Sequence, residues 1–160
     1  MQLTLIRHAI AVERSAGGTD AARPLSPEGI DRFRQVVRGL DALGFRCDQL
    51  VHSPRLRAVQ TAELAVPLVR GELQVSPLLA EAPGPALFDL LDGDRVALVG
   101  HSPWLEQLLA LLTAGEVGRY KAFRLKKGGV AVLEGTARPA GMHLTALLPP
   151  RVTRRIGSRR

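Results

Sequence analysis

The chain has 160 residues, of which 46% are hydrophobic and 23% charged, and its formal net charge is +7. This length and balance predict one folded domain and exclude a disordered chain, and no apolar run is long enough for a membrane span or a signal-peptide core. The single cysteine, Cys47, cannot form an internal disulfide, so we expect a cytoplasmic protein with no membrane partner.

The first strand predicted in the chain leads directly into the Arg7-His8 pair. Residues 3–6 form the apolar run LTLI, which favours a buried strand. Residues 10–24 then form a long loop with two consecutive glycines, and we expect this loop to line or cover a pocket. A serine and a proline begin a helix at 26–27, and the helical spacing of apolar residues extends it to a stop at Gly44.

Two further strand–loop–helix units follow. A strand at 49–51 precedes a helix that begins at Ser53-Pro54, and the buried strand 96–99 precedes a helix that begins at Ser102-Pro103. The weaker elements that we expect are a strand at 75–79, a short helix at 85–91, and β segments at 122–125, 129–133 and 144–148. The order of elements predicts an α/β domain with a mostly parallel sheet.

Much of the positive charge lies at the C-terminus. Five arginines occupy the last ten residues, and removing them from +7 leaves +2 for the rest of the chain. We therefore expect residues 1–150 to form the domain and residues 151–160 to form a flexible basic tail. With neither a basic body nor many aromatic side chains for base stacking, the chain does not favour a nucleic-acid partner.

Each of the three units carries polar side chains where its strand ends. These side chains are Arg7 and His8 in the first unit, Ser53 and Arg57 in the second, and His101 and Ser102 in the third. Because the carboxyl ends of parallel strands meet at one edge of a sheet, we expect them to converge.

The converging groups suit a phosphate. Two guanidiniums, two imidazoles and helix N-termini around one point favour a dianion. An imidazole nitrogen can attack phosphorus and form a covalent phosphohistidine, and the neighbouring arginines favour the neutral, nucleophilic form of His8. They also stabilise the charge of a phosphoryl group in transfer. The sequence contains no obvious cluster of carboxylate and histidine ligands, so we expect neither a metal nor a cofactor.

The same residues resemble the histidine phosphatase superfamily, the phosphoglycerate-mutase-like group that carries Arg-His-Gly or Arg-His-Ala after its first strand. The matching segments are 5–9 (LIRHA), 53–62 (SPRLRAVQTA) and 99–102 (VGHS). The segment 23–26 (RPLS) and the short chain further resemble the SixA-type phosphohistidine phosphatases. The resemblance covers about residues 1–148 and implies a three-layer α/β/α sandwich.

The resemblance also implies roles for individual residues. His8 is the expected nucleophile, which becomes phosphorylated, and Arg7, Arg57 and His101 are expected to bind the phosphoryl group. Larger mutases of the superfamily carry insertions between the matching segments for which this chain has no room. A phosphatase is therefore favoured over a mutase.

The leaving group is left open by the sequence. Many superfamily members place a carboxylic acid between the second and third segments to protonate an ester oxygen, and Glu81 lies in that interval. A phosphoramidate places a smaller demand on such an acid, so Glu81 is equally a surface or helix-capping carboxylate. Ser102 and Arg23 are further candidates for substrate contact, although Ser102, like Ser53, is also the expected N-cap of its helix.

The favoured interpretation is a phosphatase that removes phosphate from phosphohistidine on a protein and releases inorganic phosphate. The alternative is a phosphomonoesterase for small sugar or nucleotide phosphates, with Glu81 as general acid. Remoter alternatives are a non-catalytic binder of phosphorylated ligands and a nucleic-acid-associated protein that uses the arginine tail.

Overall fold

The computed structural model describes residues 1–158 and contains one six-stranded sheet. The strands are β1 (Gln2–Arg7), β2 (Cys47–His52), β3 (Val69–Val75), β4 (Arg95–Gly100), β5 (Val130–Gly135) and β6 (Met142–Leu148). Their order across the sheet is β3-β2-β4-β1-β5-β6. The first four in this order are parallel, and β5 and β6 form an antiparallel hairpin beside β1. The predicted mostly parallel sheet is confirmed.

Helices cover both faces of the sheet. They are α1 (Pro27–Ala42), α2 (Leu56–Ala65), α3 (Trp104–Ala114) and α4 (Pro150–Gly157). Along β4 the side chains alternate, so that Leu98 packs into a core with α3 on one face and Val99 packs into a core with α1 and α2 on the other. The result is the three-layer sandwich that the resemblance implied, with the ends of β1, β2 and β4 at one edge. Among the described residues, no helix is long and apolar enough to cross a bilayer.

Two weak strand predictions differ from the structure. The strand expected at 75–79 instead runs over Val69–Val75, and Pro77–Ala80 form a 3-10 turn. This strand lies at the edge of the sheet with mostly exposed side chains, so it lacks the apolar run that would mark it in the sequence. The segment 122–125 is not a strand, because the backbone N–H of Leu125 donates to the Glu106 carboxylate.

Only one of the three expected serine caps is confirmed. Ser26 accepts the backbone N–H of Gly29 and caps α1. The first residues of α2 and α3 lie further along the chain than expected, so Ser53 and Ser102 are not N-caps. Their hydroxyls bind side chains of the site instead.

The C-terminal segment also differs from the flexible tail expected for residues 151–160. Up to Gly157 it is the helix α4, which packs on α1 with Thr153 fully buried. A Cβ added to Gly39 would lie 1.9 Å from the Thr153 carbonyl oxygen, and one added to Gly157 would lie 2.2 Å from that of Gln35. Small residues on both helices therefore allow this close approach. Arg159 and Arg160 lie outside the described residues.

The contact between α1 and α4 predicts whether a glycine substitution raises or lowers the free energy of unfolding. In an open helix, Gly→Ala is stabilising by up to about 1 kcal/mol. At Gly39 the added methyl group would collide with the Thr153 carbonyl and displace α4, so we expect Gly39→Ala to lower the free energy of unfolding by about 1–3 kcal/mol. Urea denaturation measures this change. Gly118→Ala is the matched control, because nothing lies within 4 Å of its added Cβ. A gain in stability at Gly39 would contradict the packing.

Candidate active site

His8 lies at the end of β1 with its imidazole almost fully buried. Its Nδ1 is 2.7 Å from the carbonyl oxygen of Ala9, so the ring proton is assigned to Nδ1. Its Nε2 accepts a hydrogen bond from Arg57 Nε at 3.3 Å. The Nε2 lone pair is therefore aimed at the guanidinium of Arg57, where an anion would bind.

Arg57 begins the buried face of α2 and connects three parts of the chain. Besides contacting His8, its Nη1 donates to the backbone oxygen of Asp20 at 2.7 Å and its Nη2 donates to Asp20 Oδ2 at 3.0 Å. Behind it, Thr61 Oγ1 donates to the Arg57 carbonyl and accepts the backbone N–H of Ala9. Each of the three guanidinium nitrogens thus donates a hydrogen bond, as a side chain that is only 4% exposed requires.

Asp20, in the long loop after β1, pairs with three arginines. Its Oδ2 lies 2.9 Å from Arg55 Nη1 in addition to its contact with Arg57, and its Oδ1 lies 3.0 Å from Arg23 Nε. Although partial burial acts in the opposite direction, these three cations hold the pKa of Asp20 below its ordinary value. A carboxylate therefore occupies a site built for an anion, and it ties the loop over α2.

His101, at the end of β4, faces His8 with 5.2 Å between ring centroids. Its Nε2 lies 2.7 Å from Ser53 Oγ, which also accepts the backbone N–H of Arg55. Since Ser53 can donate its own hydrogen to Nε2, we assign the ring proton of His101 to Nδ1. Nδ1 is buried and has no partner among the described residues, so this N–H can donate to an incoming oxygen.

Arg7 completes the group from the other side of His8. Its Nη1 donates to the carbonyl oxygen of Leu125 at 2.8 Å, and its buried Nε has no partner among the described residues. The Leu125 backbone N–H in turn donates to Glu106 Oε1, which also accepts the Ser102 hydroxyl. A buried carboxylate thus fixes the segment that holds Arg7.

Both imidazoles are held in the neutral form. Burial lowers the pKa of His8 to about 3, and the charges of Arg57 and Arg7 add to this effect against the opposing hydrogen bond to Ala9. Burial likewise lowers the pKa of His101 to about 3, with further contributions from His8 and Arg57. At neutral pH the site therefore combines two neutral rings with guanidiniums that cannot lose their protons.

The sequence-predicted residues separate into two groups in the structure. The structure brings together Arg7, His8, Arg57 and His101. Glu81, Arg23 and Ser102 lie around them with other contacts.

Arg23 contacts the Asp20 carboxylate and donates to the Val12 carbonyl oxygen. Ser102 donates to Glu106. Glu81 is exposed just after the Pro77–Ala80 turn, and it lines a small cavity with His101 and Trp104.

Two partners of these groups, Asp20 and Glu106, were not predicted from the sequence, and Ser53 was expected to cap its helix. Asp20 anchors Arg57, Ser53 binds His101, and Glu106 fixes Ser102 and the Leu125 backbone. A signal existed for Asp20, because it is the only carboxylate between Glu13 and Glu28 in a loop expected to face arginines. Glu106 gave none, since a carboxylate in the first turn of a helix is normally a solvated group that favours the helix dipole. Within residues 1–158, no cluster of three or more metal-ligating side chains is present.

The chain is similar to known proteins in sequence and in fold. Residues 3–86 match the family model of the histidine phosphatase superfamily (branch 1). An uncharacterized protein of Picosynechococcus sp. (strain ATCC 27264 / PCC 7002 / PR-6) is 33% identical over 150 residues, which cover 86% of this chain and 88% of that protein.

Two solved structures share the fold. The protein histidine phosphatase SixA complexed with tungstate has a TM-score of 0.77 at 23% identity, covering 94% of this chain and 98% of that one. The alpha-ribazole phosphatase from Shigella flexneri has a TM-score of 0.73 at 20% identity, covering 94% and 97%.

The neutral imidazoles predict how stability depends on pH. An unfolded histidine has a pKa of about 6.5, whereas His8 and His101 have pKa values of about 3 in the folded protein. Between these values the unfolded chain binds more protons, so acidification from pH 6.5 lowers the free energy of unfolding. We expect a loss of up to about 1.4 kcal/mol per pH unit for each histidine. Urea denaturation from pH 7 to 5 in phosphate-free buffer measures it.

The variant His8→Gln should remove about half of this pH dependence, because only His101 still contributes. His143→Gln is the matched control, since His143 is exposed on β6 and should leave the wild-type dependence. Equal slopes for His8→Gln and wild type would show that the site histidine is not held neutral.

The pairing of Asp20 predicts a second effect on stability. A hydrogen bond to a charged group contributes about 1.5–3 kcal/mol, and because Asp20 is 43% exposed we expect Asp20→Asn to cost about 1–2 kcal/mol. Inorganic phosphate should stabilise this variant more than wild type, because the anion no longer competes with a carboxylate. Asp31→Asn is the control: its exposed pair with Arg34 should contribute less than about 0.5 kcal/mol. Thermal and urea unfolding should distinguish the two variants. Equal losses in the free energy of unfolding would contradict the proposed role of Asp20 in anchoring the loop to the arginines.

Proposed function

The chain belongs to the histidine phosphatase superfamily, and we propose that it is a metal-independent phosphatase that forms a covalent phosphohistidine on His8. The observation that carries this proposal is the state of the His8 imidazole. Its ring proton is held on Nδ1 by Ala9, which leaves Nε2 unprotonated and facing Arg57. A neutral nitrogen beside fixed cations is what nucleophilic attack on a phosphoryl group requires.

In the first step, His8 Nε2 attacks phosphorus. The new N–P bond forms as the bond to the leaving group breaks, and the leaving group departs with the bonding electron pair. Arg57 Nε transfers its hydrogen bond from Nε2 to a phosphoryl oxygen at this point, so the lone pair becomes free to react. The Nδ1–H bond to Ala9 then stabilises the positive charge on the phosphorylated ring.

Three further groups stabilise the charge on the transferring phosphoryl group. Arg57 and Arg7 supply guanidiniums, and His101 supplies its unpartnered ring N–H. For Arg57 to bind the phosphoryl oxygens with both Nη atoms, Asp20 must give up its place. We infer that substrate binding exchanges the carboxylate for the phosphoryl group, which moves the loop at residues 10–24.

In the second step, water attacks phosphorus and the N–P bond breaks. The electron pair of the broken N–P bond returns to His8 Nε2, and the proton lost by the attacking water passes to solvent. Inorganic phosphate is released and the neutral imidazole is restored. No step needs a metal ion, because the arginines provide the charge that a metal would otherwise supply.

We propose that the substrate is a phosphohistidine on a protein. The departing imidazole of such a substrate leaves readily once it is protonated, so the reaction places little demand on an acid of the enzyme. Glu81, the expected acid, is exposed and has no hydrogen-bond partner among the described residues that would position it. The structurally similar SixA, which is a protein histidine phosphatase, is consistent with this choice.

A small phosphate ester is the second candidate. The observation in its favour is that Glu81 lines the same small cavity as His101, so a short movement of its loop could bring the carboxyl group to an ester oxygen. The similar fold of an alpha-ribazole phosphatase is consistent with this alternative.

The two candidates predict different effects of Glu81→Gln. Phosphate release is measured from a histidine-phosphorylated protein domain and from a panel of sugar and nucleotide phosphates, with a metal chelator present. If the protein is the substrate, Glu81→Gln should retain activity within about threefold. If an ester is the substrate, loss of the general acid should lower kcat by about 100-fold or more.

The nucleophile is tested in the same assays. His8→Ala should lower kcat by at least about 1,000-fold on every substrate, because no other group replaces Nε2. Acid-labile, base-stable phosphate should also be absent from the variant after rapid quenching of a turnover. Activity that persists in His8→Ala would overturn the mechanism. A stable phosphoenzyme of the wild-type protein that releases no phosphate would indicate a non-catalytic binder.

A further inference from the structure

An arc of cations lies beside the candidate active site. We call it the basic arc and define it by its members, which are Lys121, Arg124, Lys126, Lys127 and Arg154. The first four are exposed, and Arg154 is half-buried. Within residues 1–158, none of the five forms an ion pair. By contrast, several arginines elsewhere on the surface are paired, such as Arg46 with Asp41 and Arg32 with Glu28.

The arc borders the reacting groups on two sides. Lys121 and Arg124 line an open cleft of about 470 Å³ together with Ser102, the neighbour of His101, and the buried carboxylate of Glu106. Lys127 and Arg154 line a hollow of about 40 Å³ together with Ala9, the neighbour of His8. The charge of Lys127 also contributes to lowering the pKa of His8.

The backbone at 124–128, which carries three of the five cations, is fixed to the site. Leu125 is buried, its N–H donates to Glu106, and its carbonyl accepts Arg7. The N–H of Gly128 is shared between the carbonyl oxygens of Arg7 and His8. The backbone from which Arg124, Lys126 and Lys127 project is therefore held at a constant position relative to the nucleophile.

The segment that carries most of the arc has no acidic residue of its own. Residues 117–133 contain no carboxylate. Like charges in one region repel one another, and a partner of opposite charge relieves this repulsion while being steered toward the surface. Because the arc lies outside the place where the phosphoryl group would bind, its contacts fall on parts of a substrate beyond the reacting group.

We propose that the basic arc docks acidic side chains that surround the phosphohistidine of a protein substrate. This inference rests on the proposed function for the existence of a protein substrate. The arc adds specificity for the rest of the substrate. The phosphoryl pocket lacks this specificity, because it recognises only the group common to every phosphorylated molecule. Lys121 and Arg124 on one side, with Lys127 and Arg154 on the other, distinguish an acidic phosphoprotein from a small phosphorylated compound.

The test compares two double variants with the same net charge. Lys121→Glu/Arg124→Glu reverses two cations of the arc. Arg70→Glu/Arg138→Glu reverses two exposed cations at the opposite end of the sheet, and both variants lower the net charge from +7 to +3. The probes are a histidine-phosphorylated domain with acidic residues around its phosphohistidine, and phosphohistidine as the free amino acid. The measured quantity is the ratio of kcat/KM for the domain to kcat/KM for the free amino acid.

We expect the arc variant to lower this ratio tenfold or more at low salt, mainly through KM for the domain. The control variant should change it less than twofold. The loss should shrink at high salt, where exposed charges are screened. When the acidic residues of the domain are replaced by lysine, the arc variant should have a higher kcat/KM for the domain than wild type. An unchanged ratio, or an equal loss in the control variant, would overturn the proposal.

Two further outcomes separate this proposal from the proposed function. If no phosphohistidine domain is turned over, the proposed substrate is wrong. The docking proposal is then tested by binding, because the affinity of His8→Ala for the unphosphorylated acidic domain can be measured with and without the arc substitutions. Affinity that does not depend on the arc overturns the docking proposal by itself. If the arc variant loses binding to single-stranded RNA while the ratio for the domain is unchanged, the surface serves a nucleic acid and the proposal is wrong.

Discussion

The buried guanidinium of Arg57 is the interaction on which the candidate site depends. A guanidinium that is removed from water must have its hydrogen bonds satisfied, and Arg57 finds its partners on His8 and on the loop residue Asp20. This requirement connects α2, the end of β1 and the loop after it, which are far apart in the sequence. It also gives the loop a defined place over the site, although the loop has little regular structure of its own.

The burial of these charged and polar groups also determines the protonation state of the two histidines. Burial and the nearby cations keep His8 and His101 neutral, so the site combines a nucleophilic nitrogen with positive charge in a small volume. Such an arrangement costs stability in the absence of an anion, because like charges and unpaired N–H groups are left close together. Asp20 offsets part of that cost. An anionic substrate would offset the rest, which makes a stable fold compatible with the proposed phosphate site.

Beyond the site, the sheet edge has two different kinds of surface. On the α2 side three arginines share the single carboxylate of Asp20, which offsets part of their charge. On the β5 side the five cations of the basic arc form no ion pair among residues 1–158. A substrate approaching the edge would therefore meet an uneven field, with positive potential concentrated next to α4 and the segment before β5.

The sequence by itself determined the order of elements, the α/β class and four residues of the site: Arg7, His8, Arg57 and His101. These features depend on local signals, because a buried strand, a helix start and a polar residue at a strand end are each written within a few residues. Only the tertiary structure decided that Asp20 holds Arg57, that Ser53 binds His101 rather than capping a helix, and that the basic C-terminal segment is a helix packed at Gly39. Each of these depends on a contact between residues about 40 to more than 100 positions apart, formed because a buried polar group or a helix face needed a partner, and no local pattern specifies which partner that is.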